Sequence, residues 1–191
     1  MLNRKFAKRR DQRGLTLAET LLVLAIGTVA IVGGTILYLQ ASGAQKVNQT
    51  VNNLNALQGQ ISQLFSSQSS YGNNIELTNS LIQAGVVPAN MVVGAGNAAT
   101  MQNAWGGVVE VHATGGGSGY RISYEDVPRD ACVSLVTKLA GGSSQNALRG
   151  FGVDSTAPTG ANPARTPPVD LATALTDCDE DVNNGMTFYY R

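Results

Sequence analysis

Residues 13–39 read RGLTLAETLLVLAIGTVAIVGGTILYL, and this stretch decides how the rest of the chain is read. Between Leu15 and Leu39 the only charge is Glu19. As a helix the run would rise by roughly 37 Å, enough to cross a bilayer's hydrocarbon core. It is too long for the apolar core of a secretory signal. Such a signal would also close with a small-residue cleavage site after the apolar run. Here the punctuation, Arg13-Gly14, comes before it.

On the N-terminal side, Arg4, Lys5, Lys8, Arg9, Arg10 and Arg13 are opposed only by Asp11. The whole chain carries 13 basic and 13 acidic residues, so everything after Gly14 is net acidic. A basic block ahead of an acidic body reads as a targeting segment and not as a nucleic-acid surface. Basic flanks stay on the cytoplasmic side of a membrane. Glu19 is the informative residue inside the run, because a carboxylate there costs on the order of 2.5–3.5 kcal/mol on the insertion scale. Spacing leaves two readings open. Glu19 sits near the headgroups and costs little, or it pairs with a positive charge inside an assembly. A new amine at Leu15 would supply such a charge.

On the C-terminal side the helical pattern continues but changes character. Val47, Val51, Leu54, Leu57, Ile61 and Leu64 recur every three or four residues among Gln, Asn, Ser and Thr. That predicts an amphipathic helix to about Phe65, its apolar stripe packed on a globular head. The combined helix would run for about 50 residues, with Gly27, Gly33 and Gly34 as weak points.

The remainder alternates between loop and strand signals. Ser66–Ser70 breaks the helix, and a short helix is expected over Leu77–Ala84, ended by Gly85 with Pro88 beyond. The glycine- and alanine-rich stretch Gly94–Gly107 reads as loop. Val109 and Val111 alternate with Glu110 and His112, and Tyr120, Ile122 and Tyr124 with Arg121 and Ser123. The turn region Thr114–Gly119 lies between, which predicts a β-hairpin. A second amphipathic helix is expected over Arg129–Leu139, and a strand over Phe151–Val153. Prolines make Ala157–Pro168 an irregular loop, with a helical turn over Leu171–Leu175 and a final strand over Met186–Tyr190.

Cys132 and Cys178 are the two cysteines. In an exported domain they predict one disulfide, closing roughly 45 residues and contributing about 4 kcal/mol in the chain-entropy model. Metal binding competes, but there is no CxxC, and His112 is the sole histidine. Asp177–Asp181 loosely resembles a calcium loop, yet Val182 and Phe188 stand where glycine and glutamate are needed, so a solvated acidic turn is the better reading. The glycine run near residue 116 lacks the Lys-Ser/Thr ending of a phosphate loop. No nucleophile–base pair stands out, so no enzyme, cofactor or metal is expected.

Arg13-Gly14-Leu15-Thr16-Leu17-Ala18-Glu19, after a short basic leader and before an apolar helix, resembles the processing site of type IV prepilins. The resemblance implies a membrane-embedded prepilin peptidase that cuts after Gly14, and methylation of the Leu15 amine. It also implies an assembly role for Glu19, which would neutralise the amine of a neighbouring subunit. A pair left half-made would strand a buried charge at roughly 3–5 kcal/mol. Many type IV pilins carry a proline late in the apolar stretch. This chain has none, and Gly33-Gly34 is expected to soften the helix instead.

A second resemblance covers the head. Asn103-Ala104-Trp105-Gly106-Gly107, then Val127-Pro128 and Ala131-Cys132, is similar to the type IVb pilins, which include bundle-forming, toxin-coregulated and conjugative thin-pilus pilins. It implies an α+β pilin fold, with a long N-terminal helix packed on an antiparallel sheet and a disulfide near the C-terminus. The expected organisation is a cleaved leader over 1–14, a transmembrane and polymerisation helix over 15–39 and a globular head over 40–191. The expected function is a major structural subunit of an extracellular filament for adhesion, aggregation or conjugation. Its expected partners are the peptidase, the inner membrane, the pilus assembly machinery and identical subunits, with no specific nucleic acid. The alternatives are a minor pilin, a type II secretion pseudopilin, or a membrane-anchored binding module that never polymerises.

Overall fold

The computed structural model describes residues 16–141, 148–181 and 183–191. The chain divides into two compact units, Met1–Ala41 and Ser42–Arg191. Helix α1 (Leu17–Leu64) contributes to both. In the first unit its large apolar side chains, from Leu17 to Leu39, are exposed. This part of α1 is long and apolar enough to cross a membrane, and none of its most apolar window is buried. Gly33 and Gly34 do not interrupt the helix. A Cβ at either position would meet nothing.

In the second unit the stripe becomes a core contact. Val47, Thr50, Leu54, Leu57 and Ile61 are buried at helical spacing. Val51 is only half-buried, and Leu64 stays exposed because Phe65, four residues after Ile61, takes the core-facing position instead. The Thr50 hydroxyl meets its own need by donating to the Lys46 carbonyl at 2.9 Å. A short helix α2 (Thr78–Gln83) follows.

The sheet has six antiparallel strands in the order β1-β2-β3-β4-β6-β5. They are β1 (Val92–Val93), β2 (Thr100–Gln102), β3 (Val108–Thr114), β4 (Gly119–Val127), β5 (Leu148–Asp154) and β6 (Asn184–Tyr190). Strands β3 and β4 form the hairpin, Thr114 opposite Gly119. Its turn places Gly115, Gly116 and Gly117 at positive φ, where glycine carries no Cβ penalty. The stretch expected as pure loop contains β2. Three residues are too short for a visible alternation, and β2 forms by pairing Met101 with Val109.

Period-two alternation sorts the side chains of the long strands. Val109 and Val111 of β3, Tyr120, Ile122 and Tyr124 of β4, and Met186, Phe188 and Tyr190 of β6 join the α1 stripe in one apolar cluster. Helix α3 (Arg129–Ala140) adds Leu135 and Val136 to it.

The other face of β4, β6 and β5 is covered by residues 155–168, the proline-rich stretch. The Thr187 hydroxyl donates to the Pro158 carbonyl at 2.8 Å, and the Arg121 guanidinium to the Thr159 carbonyl at 2.7 Å. Phe151 and Arg165 exchange backbone hydrogen bonds of 3.0 and 2.9 Å, which cover the free edge of β5. Close approach requires small residues underneath. A Cβ at Gly150 would overlap the Arg165 carbonyl oxygen, and one at Gly185 the Thr156–Ala157 backbone. Every residue of β6 is therefore buried.

Candidate functional site

The start of α1 carries a local hydrogen-bond exchange. Thr16 precedes the first helical residue, and its carbonyl accepts from Thr20 N at 3.1 Å. The Thr16 hydroxyl accepts from Glu19 N at 3.3 Å. Glu19 Oε2 in return accepts from Thr16 N at 2.9 Å and from the Thr16 hydroxyl at 3.0 Å. This is a capping box: the cap side chain serves the third helical N–H while the glutamate serves the cap N–H. Both groups belong to the described chain, whereas Gly14 and Leu15, the expected cleavage and methylation positions, lie outside it.

In the head, Cys132 and Cys178 are bonded to each other with Cα atoms 5.9 Å apart, and both are fully buried. Cys132 lies in the first turn of α3, and Cys178 ends α4 (Leu171–Asp177). The bond therefore ties the two helices across 46 positions of sequence. Asp170 starts α4 by accepting from Thr173 N at 2.8 Å. Hydrogen bonding to Thr173 holds its carboxyl below the ordinary range. Asp177 is taken by Arg165 through bonds of 3.0 and 2.8 Å. Hydrogen bonding to Asp177 raises the Arg165 guanidinium's affinity for its proton.

Among the described residues no group of three or more His, Cys, Asp and Glu side chains is placed to hold a metal ion. The His112 ring lies 3.1 Å from the Glu110 carboxylate.

The tryptophan-glycine motif is a closed loop built around Asn103. Asn103 Oδ1 accepts from Trp105 N at 2.9 Å and from Gly107 N at 3.0 Å. Its Nδ2 donates to the Glu125 carbonyl at 2.6 Å. Gly106 has a φ of 94°, and a Cβ at Gly107 would overlap the same Glu125 oxygen. The motif is thus architectural: it fixes the entry to β3 against the bulge of β4 between Tyr124 and Val127.

Residues 44–190 match the family described as PilS N terminal. The chain belongs to the PilS family. Residues 9–35 match the prokaryotic N-terminal methylation motif, so this PilS-family chain joins the type IV prepilin N-terminus to that head. It is 25% identical to the major structural subunit of bundle-forming pilus of Escherichia coli O127:H6, over 98% of both chains. The fold is shared with the type IVb pilin of Salmonella typhi, at a TM-score of 0.59 and 24% identity, covering 75% of this chain and 99% of that one. It is also shared with TcpA, a type IV pilin of Vibrio cholerae El Tor, at a TM-score of 0.53 and 17% identity, covering 77% and 99%. Members of the PilS family are pilins, and a pilus-subunit role is the function of this chain's family.

The residue that sequence reasoning passed over is Thr16. Its signal was present, since a threonine followed three positions later by glutamate ahead of an apolar run is a helix-start signature.

Proposed function

We propose that this chain is made as a prepilin in the bacterial inner membrane and is cut between Gly14 and Leu15 by prepilin peptidase. It is then methylated on the Leu15 amine and polymerised through α1 into an extracellular type IVb fibre. The fibre serves adhesion, aggregation or conjugation, and the chain is its major subunit. The observation that supports this best is the exposed apolar half of α1, which carries its one carboxylate, Glu19, in the first turn. A soluble protein does not leave such a surface uncovered. A lipid bilayer covers it before assembly, and the helices of identical subunits cover it afterwards.

In the fibre the Leu15 amine of one subunit and the Glu19 carboxylate of its neighbour neutralise each other in low dielectric. This sets the axial register. Removing either partner leaves the other charge buried and uncompensated, at about 3–5 kcal/mol. The chain after Gly14 is net acidic, which disfavours broad electrostatic DNA binding by the subunit.

The deciding experiment is the intact mass of the subunit in purified filaments, with sequencing of its first residue. A chain beginning at Leu15 and heavier by one methyl group is expected. A filament subunit that still begins at Met1 would overturn the proposal.

A further inference from the structure

Strand β6 opens with Asn184-Gly185, the sole Asn-Gly pair in the sequence. The Asn184 side chain is buried, at 1% exposure. Its nitrogen donates to the Val127 carbonyl at 3.0 Å and to the Glu180 carbonyl at 2.6 Å. The carboxamide thus ties the start of β6 to the end of β4 and to the acidic turn. Among the described residues its Oδ1 has no hydrogen-bond partner. We propose that Asn184-Gly185 is a deamidation site that the native fold keeps shut, so that a head left open is converted to aspartate or isoaspartate and no longer closes.

The reaction uses water alone. Gly185 N, its proton lost to solvent, attacks Asn184 Cγ and a new C–N bond forms. The Cγ–Nδ2 bond breaks, and ammonia leaves with a proton taken from water. Water then adds to one carbonyl of the resulting five-membered succinimide and opens it. One opening leaves aspartate. The other leaves isoaspartate, whose main chain runs through the former side chain. No oxidation or reduction occurs. Glycine favours the attack, because without a Cβ its nitrogen is uncrowded and the unfolded backbone turns freely.

Three features of the native head oppose ring closure. Pairing of Asn184 with Val127 and of Gly185 with Asp154 holds the backbone extended, whereas the ring needs the Asn184 ψ to leave that range. Both bonds from Nδ2 must break before Cγ swings onto Gly185 N and before ammonia departs. Both residues are also buried, and a Cβ at Gly185 would overlap the Thr156–Ala157 backbone, so the cover keeps water from the pair.

The product does not fit where the asparagine fits. An aspartate oxygen in the place of Nδ2 faces two carbonyl oxygens, acceptor against acceptor, and neither carboxylate oxygen finds a donor among the described residues. A buried carboxylate without donors is strongly disfavoured. Protonated, it serves one carbonyl and not the second. Isoaspartate adds a carbon to the main chain and breaks the spacing from Asn184 to the rest of β6. Since β6 lies between β4 and β5, the modification falls where it blocks closure of the sheet.

The test uses the full-length chain in detergent micelles, native and in guanidinium chloride, at mildly alkaline pH. Mass spectrometry of the peptide holding Asn184 reads the amide-to-acid change, and its chromatographic splitting reads isoaspartate. In denaturant, position 184 should convert faster than every other asparagine of the chain. In the native chain it should convert at least about a hundredfold more slowly than in denaturant, the factor for an opening free energy of about 2.8 kcal/mol. Gly185→Ala, followed in denaturant only, should suppress conversion at 184. Asn184→Asp should unfold at a lower denaturant concentration than the parent or fail to fold. Equal native and denatured rates would overturn the proposal. So would a denatured rate at 184 no higher than at the other asparagines, an unchanged rate in Gly185→Ala, or a parent-like unfolding midpoint for Asn184→Asp.

Discussion

Asn103 and Glu125, 22 residues apart, are joined by a 2.6 Å bond from the Asn103 carboxamide to the Glu125 carbonyl. The Glu125 carboxylate reaches the other way and accepts from Ala157 N at 3.0 Å. One residue of β4 thus anchors both the tryptophan loop and the proline-rich cover of the sheet. Asn103→Ala removes three hydrogen bonds and strands two backbone N–H groups. We expect a loss of about 2–3 kcal/mol, read from denaturant unfolding of the head.

The Cys132–Cys178 bond closes a long loop in the denatured chain. Replacing both cysteines by serine should cost roughly 2–5 kcal/mol, seen as a lower unfolding midpoint. Alkylation of the unreduced protein should label neither sulfur. Full labelling without a reductant would contradict the pairing.

Gly185 lies beneath the Thr156–Ala157 backbone. Gly185→Ala forces the cover to lift, and we expect about 1–3 kcal/mol of destabilisation. Limited proteolysis should cut the variant within 155–168 faster than the parent. Equal cutting rates would mean that the cover does not depend on this contact.

Burial pushes the Tyr120, Tyr124 and Tyr190 phenols well above their ordinary value. The unfolded chain releases these protons near pH 10. The folded head keeps them, so the contribution to stability is complete below pH 10 and is lost as pH rises above it. Near-ultraviolet titration of the native head should show fewer ionising tyrosines around pH 10 than titration of the denatured chain. Alkaline unfolding should release the remainder together. Identical native and denatured titrations would contradict this burial.

A chain beginning at Gln40 should be soluble and monomeric, because it omits the exposed apolar residues up to Leu39 and keeps the Val47–Ile61 stripe. Sedimentation and circular dichroism would check both size and helix content. Persistent large aggregates would show that the head needs the earlier half of α1.

What was legible in the sequence was whatever repeats at short range. The α1 stripe, the β3–β4 alternation around a glycine turn and the apolar run with its basic leader are local patterns. The cover over the sheet was not legible as such. Its partners Gly150, Gly152, Gly185 and Thr187 are scattered along two strands, and each looks ordinary by itself. The prolines announced irregular backbone without saying where it rests. Asn103 and Trp105 were visible as a motif, but its structural basis depends on a carbonyl on another strand. Thr16 differs: its spacing to Glu19 is itself a helix-start signature, but the same residues also belong to the processing motif, which accounts for them without a cap.

Strand β6 is the last of the six along the chain, yet it lies between β4 and β5 and pairs with both. A polypeptide that stops short of Asn184 therefore lacks the keystone of its sheet. Strands β4 and β5 then each expose a bare, hydrogen-bond-hungry edge. On the proposed route, with the N-terminal end held inside by its basic residues, this keystone would be the last strand of the head to cross the membrane. On that route, completing the sheet would coincide with completing export, and the exposed edges of β4 and β5 would close only when the last strand arrives.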